Sequence, residues 1–153
     1  MKQLKEIIQE KLVLNKNSKS KYNYHYYPKD RDELKELVDK LIEERGNDAN
    51  LNDIDTSEIT DMSKLFKDSD FNGDISKWDV SNVEDMRGMF AYSKFDGDIS
   101  KWNVSNVENM DYMFSYSKFN KDISKWDVSN VDGMESMFYK SPLENNPPSW
   151  YKK

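Results

Sequence analysis

Trp78, Trp102, Trp126 and Trp150 are the only tryptophans in the chain, and each stands 24 residues from the next. A constant period means that one small structural unit recurs. Such a unit cannot bury its apolar face alone, so neighbours stack upon one another. The fold class is therefore readable from the spacing. Function is harder to read, because a stack of like units is a surface before it is a chemistry.

Aligned on the tryptophans, FNGDISKWDVSNVEDMRGMFAYSK (71–94) is followed by FDGDISKWNVSNVENMDYMFSYSK (95–118) and FNKDISKWDVSNVDGMESMFYKSP (119–142). Upstream, residues 47–70 keep the register in weaker form: Leu51 stands in the place of Ile75, Ile54 in that of Trp78, and Met62 and Phe66 in those of Met86 and Phe90. Downstream, 143–150 keep little beyond Leu143 and Trp150. Every Phe falls in one of two columns, 66/90/114/138 and 71/95/119, and every Met after Met1 falls in 62/86/110/134 or 89/113/137. A mean hydropathy of −0.99 and 34% charged residues would ordinarily favour a disordered chain. Fixed columns of Trp, Phe, Ile, Val and Met favour an ordered stack instead.

Within a unit, Phe71, Gly73 and Ile75 alternate with Asn72, Asp74 and Ser76, which is strand periodicity. From Val83 the spacing changes to Val83, Met86, Met89 and Phe90, one face of a short helix, with Ser81 and Glu84 spaced as a capping box before it. The expected fold is an α/β repeat solenoid, a leucine-rich-repeat-like stack of about four strand–short-helix coils with a helical N-terminal cap. The expected division is a cap at 1–46, coils at 47–70, 71–94, 95–118 and 119–142, and a degenerate capping unit at 143–153.

The string FNGDISKWDVSNVEDMRGMF (71–90) resembles the BspA-like leucine-rich repeat, also known from mycoplasma lipoprotein-type repeats of unknown function. The resemblance covers residues 47–142. The lead-in, YYPKDRDELKELVDKLIEERG followed by LNDIDTSEITDMSKLF, is similar to the segment that opens many members. Ser69, Ser93, Ser117 and Ser141 stand where Cys or Ala is common in that family. The resemblance implies a right-handed strand–helix solenoid that binds proteins or surfaces, and it implies no catalysis.

In the cap, Leu4, Ile7, Ile8 and Leu12 form one helical stripe and Leu34, Leu37, Val38, Leu41 and Ile42 a second. Asp30 is read as the N-cap of the second helix, paired with Glu33, and Gly46 as its C-cap. Between them Tyr22, Tyr24 and Tyr26 alternate with Asn23 and His25 ahead of Pro28, which reads as an edge strand. The cap covers an open apolar end that would otherwise aggregate.

With no Cys and one His, the chain has no disulfide framework, no thiolate metal site and no His cluster. MKQLKEIIQEKLVLNKNS holds no apolar run long enough for a signal peptide or a membrane span, so a cytoplasmic location is expected. Residues 1–46 carry 11 Lys/Arg and 9 Asp/Glu, against 12 and 20 in 47–153. An acidic stack argues against a nucleic-acid partner, and the basic 16–21 stretch beside the tyrosines is a weak counter-signal. It suits a basic protein partner, or solubility alone.

Stacking lines up polar columns: Asp74/Asp98/Asp122, Lys77/Lys101/Lys125 and Asp79/Asn103/Asp127. Like charges so close need compensation, from the lysines or from turn N–H groups that the carboxylates accept. Alternatively the columns form a polar recognition face, or hold Ca²⁺, although calcium wants about six to eight oxygens from a shaped loop and no such loop is evident. Catalysis is not expected: the carboxylates recur in the same setting, whereas acid–base pairs need different ones. There is no HExxH, Gly-rich phosphate loop or Ser–His–Asp set. No cofactor and no metal are expected. The leading expectation is a non-catalytic protein–protein interaction module contacting its partner through these nine column residues and through Tyr22, Tyr24 and Tyr26. Two alternatives stay open: a phage- or mobile-element-borne inhibitor that docks onto a host protein, and a self-associating structural or adhesive surface protein.

Overall fold

In the computed structural model, which describes residues 23–152, residues 24 apart lie side by side. Parallel bridges join Asn50 to Asp74, and Asp61, Asp85, Asn109 and Gly133 in succession. The chain thus winds through stacked layers, with residues one period apart on neighbouring passes.

The layers are not the strand–helix coils of an α/β solenoid, and that expectation is overturned. The described residues hold one α-helix, α1 (Arg31–Arg45), one 3-10 turn (Pro142–Glu144) and isolated bridges, with no strand or sheet among them. Two causes can be named. In the segment expected as a strand, Asn72 N–H and Asp74 N–H reach Asn47 O and Ala49 O one layer away, but the chain then bends. The Asp74 carboxylate accepts from Ser76 N at 2.9 Å, and Trp78 N–H closes a turn onto Ile75 O. Side chains even replace the rungs: Asp96 N–H donates to Asn72 Oδ1 and Asn120 N–H to Asp96 Oδ1, both at 2.8 Å.

In the segment expected as a helix, the amides divide between two directions. Met89, Ala91 and Ser93 N–H make turn bonds to Met86, Gly88 and Phe90 O. Met86, Gly88, Phe90 and Tyr92 N–H leave the layer and donate to Asn109, Asp111, Met113 and Ser115 O. An α-helix would need those amides for its own i→i−4 ladder. The backbone accommodates the alternation with left-handed residues in two columns: Lys64, Gly88, Tyr112 and Ser136 at φ 57°, 60°, 58° and 50°, and Asp68, Tyr92, Tyr116 and Lys140 at 59°, 56°, 57° and 54°. For a residue other than glycine that conformation costs roughly 1–2 kcal/mol. A cross-layer hydrogen bond, worth about 1 kcal/mol net, offsets much of it. The Ser81–Glu84 pair caps no helix, because none begins there.

The periodic residues are the core. Phe66, Phe90, Phe114 and Phe138 stack with centroids 5.5, 5.6 and 5.8 Å apart, and Phe71, Phe95 and Phe119 run beside them at 6.2 and 6.3 Å. Trp78, Trp102 and Trp126 are buried, and Trp150 is half-buried. Each indole also ties its layer to the one before. Nε1–H donates to the main chain 27 residues back: Trp78 to Leu51 O, Trp102 to Ile75 O, Trp126 to Ile99 O and Trp150 to Ile123 O, at 2.9–3.1 Å. The serines at 69, 93 and 117 turn the chain into the next phenylalanine, each Oγ accepting from Phe71, Phe95 or Phe119 N–H.

The first layer is closed by α1. Asp30 is its N-cap and accepts from Glu33 N, and Gly46 ends it at φ 96° with its N–H on Ile42 O. Leu34, Leu37, Val38 and Leu41 enter the same buried cluster as Ile59, Met62 and Leu65. The expected edge strand is reduced to one parallel bridge, Tyr26 to Ile54. Tyr22, the Leu4–Leu12 stripe and the 16–21 stretch lie outside the described residues.

Candidate functional site

The polar columns build turns. Asp74, Asp98 and Asp122 accept from Ser76, Ser100 and Ser124 N–H at 2.8–3.0 Å, and Asp79, Asn103 and Asp127 from Ser81, Ser105 and Ser129 N–H at 3.0–3.1 Å. Asp74, Asp98, Asp79, Asn103 and Asp127 also accept from the serine hydroxyl, at 2.5–2.7 Å. These are Asx turns, in which a carboxylate or amide oxygen replaces a backbone acceptor. The serine hydrogen bonds, foremost among the causes, hold the carboxyls of Asp74, Asp98, Asp122 and Asp127 below the usual carboxylate range. Lys77, Lys101 and Lys125 are exposed and enter no ion pair among the described residues; the cross-layer pairs are Lys94–Asp70 at 3.1 Å and Lys121–Asp96 at 3.8 Å.

Tyr24 and Tyr26 are half-buried. Tyr24 meets Tyr27 edge-on at 6.2 Å, and Tyr26 lies under the Arg45 guanidinium at 5.9 Å. Arg45 forks onto Asp53 with two bonds of 3.0 Å, and His25 Nδ1 lies 3.1 Å from the same carboxylate. Burial pushes the Asp53 carboxyl up, but Arg45 and His25 outweigh it and leave it below its ordinary value. This cluster locks the end of α1 to the first layer.

A different surface carries the exposed large apolar side chains: Tyr92, Tyr112, Tyr116 and Tyr139, at 53%, 42%, 43% and 44% exposure. They surround one shallow groove of about 650 Å³ whose floor includes Gly88, Ala91 and Ser115 and whose rim includes Lys64, Lys67 and Arg87. Tyr92 and Tyr116 stack face to face, 4.7 Å apart and 5° from parallel, and Tyr139 meets Tyr116 edge-on at 5.5 Å. Tyr112 O–H donates to Glu135 Oε1 at 2.9 Å, which raises the phenol above its ordinary pKa. Three of the four tyrosines occupy the left-handed columns. A bulky residue is uncommon in that conformation.

Sequence reasoning sought function where the units agree and so missed this face. Its signal lies where they disagree. Position 68/92/116/140 reads Asp, Tyr, Tyr, Lys; position 64/88/112/136 reads Lys, Gly, Tyr, Ser; and 67/91/115/139 reads Lys, Ala, Ser, Tyr. Stacking does not dictate the exposed side chains in these columns, so those are free to be chosen for the surface.

Among the described residues, no group of three or more His, Asp or Glu side chains is placed to hold a metal ion, and no helix is long and apolar enough to cross a membrane. The geometry defines a class of protein: a layered stack, stapled by indole hydrogen bonds, with one aromatic face. The family model described as "Mycoplasma protein of unknown function, DUF285" matches residues 33–150, and the chain belongs to that family. No curated protein and no solved structure matches it.

Proposed function

We propose that the chain is a non-catalytic protein-interaction module whose contact surface is the tyrosine face. The observation that carries this reading is the gathering of Tyr92, Tyr112, Tyr116 and Tyr139 around one groove, on a molecule whose other large apolar side chains are buried or half-buried among the described residues. An exposed apolar patch with a polar rim is the usual mark of an interaction site. Tyrosine and arginine are enriched at interfaces, because they offer large amphipathic area at low entropic cost. The Tyr92–Tyr116 stack is preorganised by the layers beneath it, which lowers that cost further. Lys64, Lys67 and Arg87 favour a partner with carboxylates beside its apolar anchor.

The polar columns contribute less to this reading, since their carboxylates are engaged by their own turns. Those carboxylates also recur in one chemical setting, which does not provide the unlike pKa values that acid–base catalysis needs. A cytoplasmic location belongs to the same proposal, as does closer kinship with the BspA-like group; the strand–helix coil that the name implies does not.

The test is comparative capture from native cells. Tagged wild type and the Tyr92→Ala/Tyr116→Ala double variant are used as baits, and bound proteins are quantified by mass spectrometry. A partner whose recovery falls with the variant, and whose measured affinity drops by about 30-fold or more as expected for loss of a hot spot, supports the reading. Equal recovery of every partner by both baits, with the variant's melting temperature unchanged, sinks it.

A further inference from the structure

The two ends of the stack are finished differently. At the first layer, Arg31 Nε donates to Ser63 O at 2.6 Å, and α1 seals an end whose Ile59, Met62 and Leu65 are fully buried. At the last layer, Val128, Val131 and Met134 are only half-buried, although Val104, Val107 and Met110 one layer earlier are fully so. With Trp150 and Tyr151 they line a groove of about 720 Å³.

Main-chain hydrogen bonding shows what this end lacks. Met110, Tyr112, Phe114 and Tyr116 N–H donate to Gly133, Glu135, Met137 and Tyr139 O in the last layer. Their own counterparts there, the N–H groups of Met134, Ser136, Phe138 and Lys140, meet no acceptor among the described residues. The carbonyls of Met134, Ser136 and Phe138 are meanwhile taken by turn bonds from Met137, Tyr139 and Ser141. The edge is a row of donors at every second residue, with the carbonyls between them already used. Such groups are costly to leave unpaired in a covered setting.

We infer that this end docks a segment of a partner polypeptide, whose main-chain carbonyls accept from Met134, Ser136, Phe138 and Lys140. The segment offers a carbonyl at every second residue, as Gly133, Glu135, Met137 and Tyr139 do toward the donors of the layer before. An apolar side chain of the segment enters the groove, and Lys or Arg residues face Asp132, Glu135 and Glu144, which line it opposite a single cation, Lys152. A second copy of this chain is the poorer fit. Two-fold pairing would set donors against donors, and head-to-tail pairing would require α1 to leave the first layer. The surface is distinct from the tyrosine groove, although Ser136 and Tyr139 border both.

The experiment is an NMR titration of the full ¹⁵N-labelled chain with a capped heptapeptide of alternating lysine and valine. Saturable shifts and slowed amide exchange at Met134, Ser136, Phe138 and Lys140 are expected. Binding about tenfold weaker is expected for the Asp132→Lys/Glu144→Lys variant and for a peptide whose alternate amides are replaced by esters, which are poorer acceptors. The proposal is overturned if those four amides do not respond, or if a glutamate–valine heptapeptide binds equally well. It is also overturned if the ester peptide binds undiminished, or if the four amides become protected with rising protein concentration alone, which would make the occupant a second copy. Shifts confined to the groove around Tyr92 and Tyr116 would overturn it too, while leaving the tyrosine reading intact.

Discussion

Gly88 is buried and left-handed, and a Cβ placed on it would lie 3.4 Å from Lys64 Cγ. Its N–H donates to Asp111 O in the next layer, so the residue cannot rotate to a commoner conformation without breaking a cross-layer bond. Lys64, Tyr112 and Ser136 take the same conformation without glycine's freedom. The column therefore tolerates a side chain but not a β-branched one, whose second γ-substituent crowds the backbone on either side. Gly88→Val is expected to destabilise by about 2–3 kcal/mol, the left-handed penalty with added crowding. Urea denaturation measures it, and an unchanged midpoint would mean that the column relaxes without cost. The tyrosines of Tyr92, Tyr112 and Tyr116 lie in such columns too, which is why no local pattern of hydrophobicity exposed them as a face.

The elements differ in how far they depend on distant partners. α1 was legible because each of its determinants is local: Asp30 and Gly46 at its ends, and an apolar stripe at helical spacing between them. The strand and helix expected inside each unit were not formed, because Asx turns bend the first and cross-layer bonds draw amides from the second. Those turns carry a pH dependence. The Asp74, Asp98 and Asp122 carboxyls are held below the ordinary value of 3.8 by their serine partners. A folded pKa below the unfolded one adds stability that is complete above the unfolded value and lost as pH falls through the folded one. Melting temperature should thus decline as the pH drops below about 4. Asn103 makes the same turn with an amide, so Asp74→Asn/Asp98→Asn/Asp122→Asn should keep the fold at neutral pH and flatten the acid limb. Thermal melts between neutral pH and the acid range decide this; a limb as steep as wild type would assign acid sensitivity to other carboxylates.

Across the whole molecule, every layer is bound to its neighbours by the same three means: phenylalanine stacks, peptide hydrogen bonds and the indole bond to the layer before. Trp126 makes the last of these contacts, with Nε1–H on Ile99 O, and also packs its ring against Phe114 and Trp150 at 6.5 and 6.4 Å. Trp126→Ala should cost about 3–5 kcal/mol, from lost burial and the cavity left behind. Because the layers share one core, the loss should appear as a lower melting temperature in a single cooperative transition. An undiminished melting temperature would mean that the column is not structural.

The 24-residue winding, the columns that fill the core and the limits of α1 were written in the order of residues alone. Burial demands the same side-chain types at each pass, and helix caps act over a few neighbouring positions. The backbone conformation of each layer and the placing of the tyrosines were set by the stack. An amide's choice between its own turn and a carbonyl 23 residues away depends on how closely the layers approach, and no local period records that distance. The same holds for the surface. Tyr92 and Tyr116 become one aromatic face only once the layers beneath hold them 4.7 Å apart.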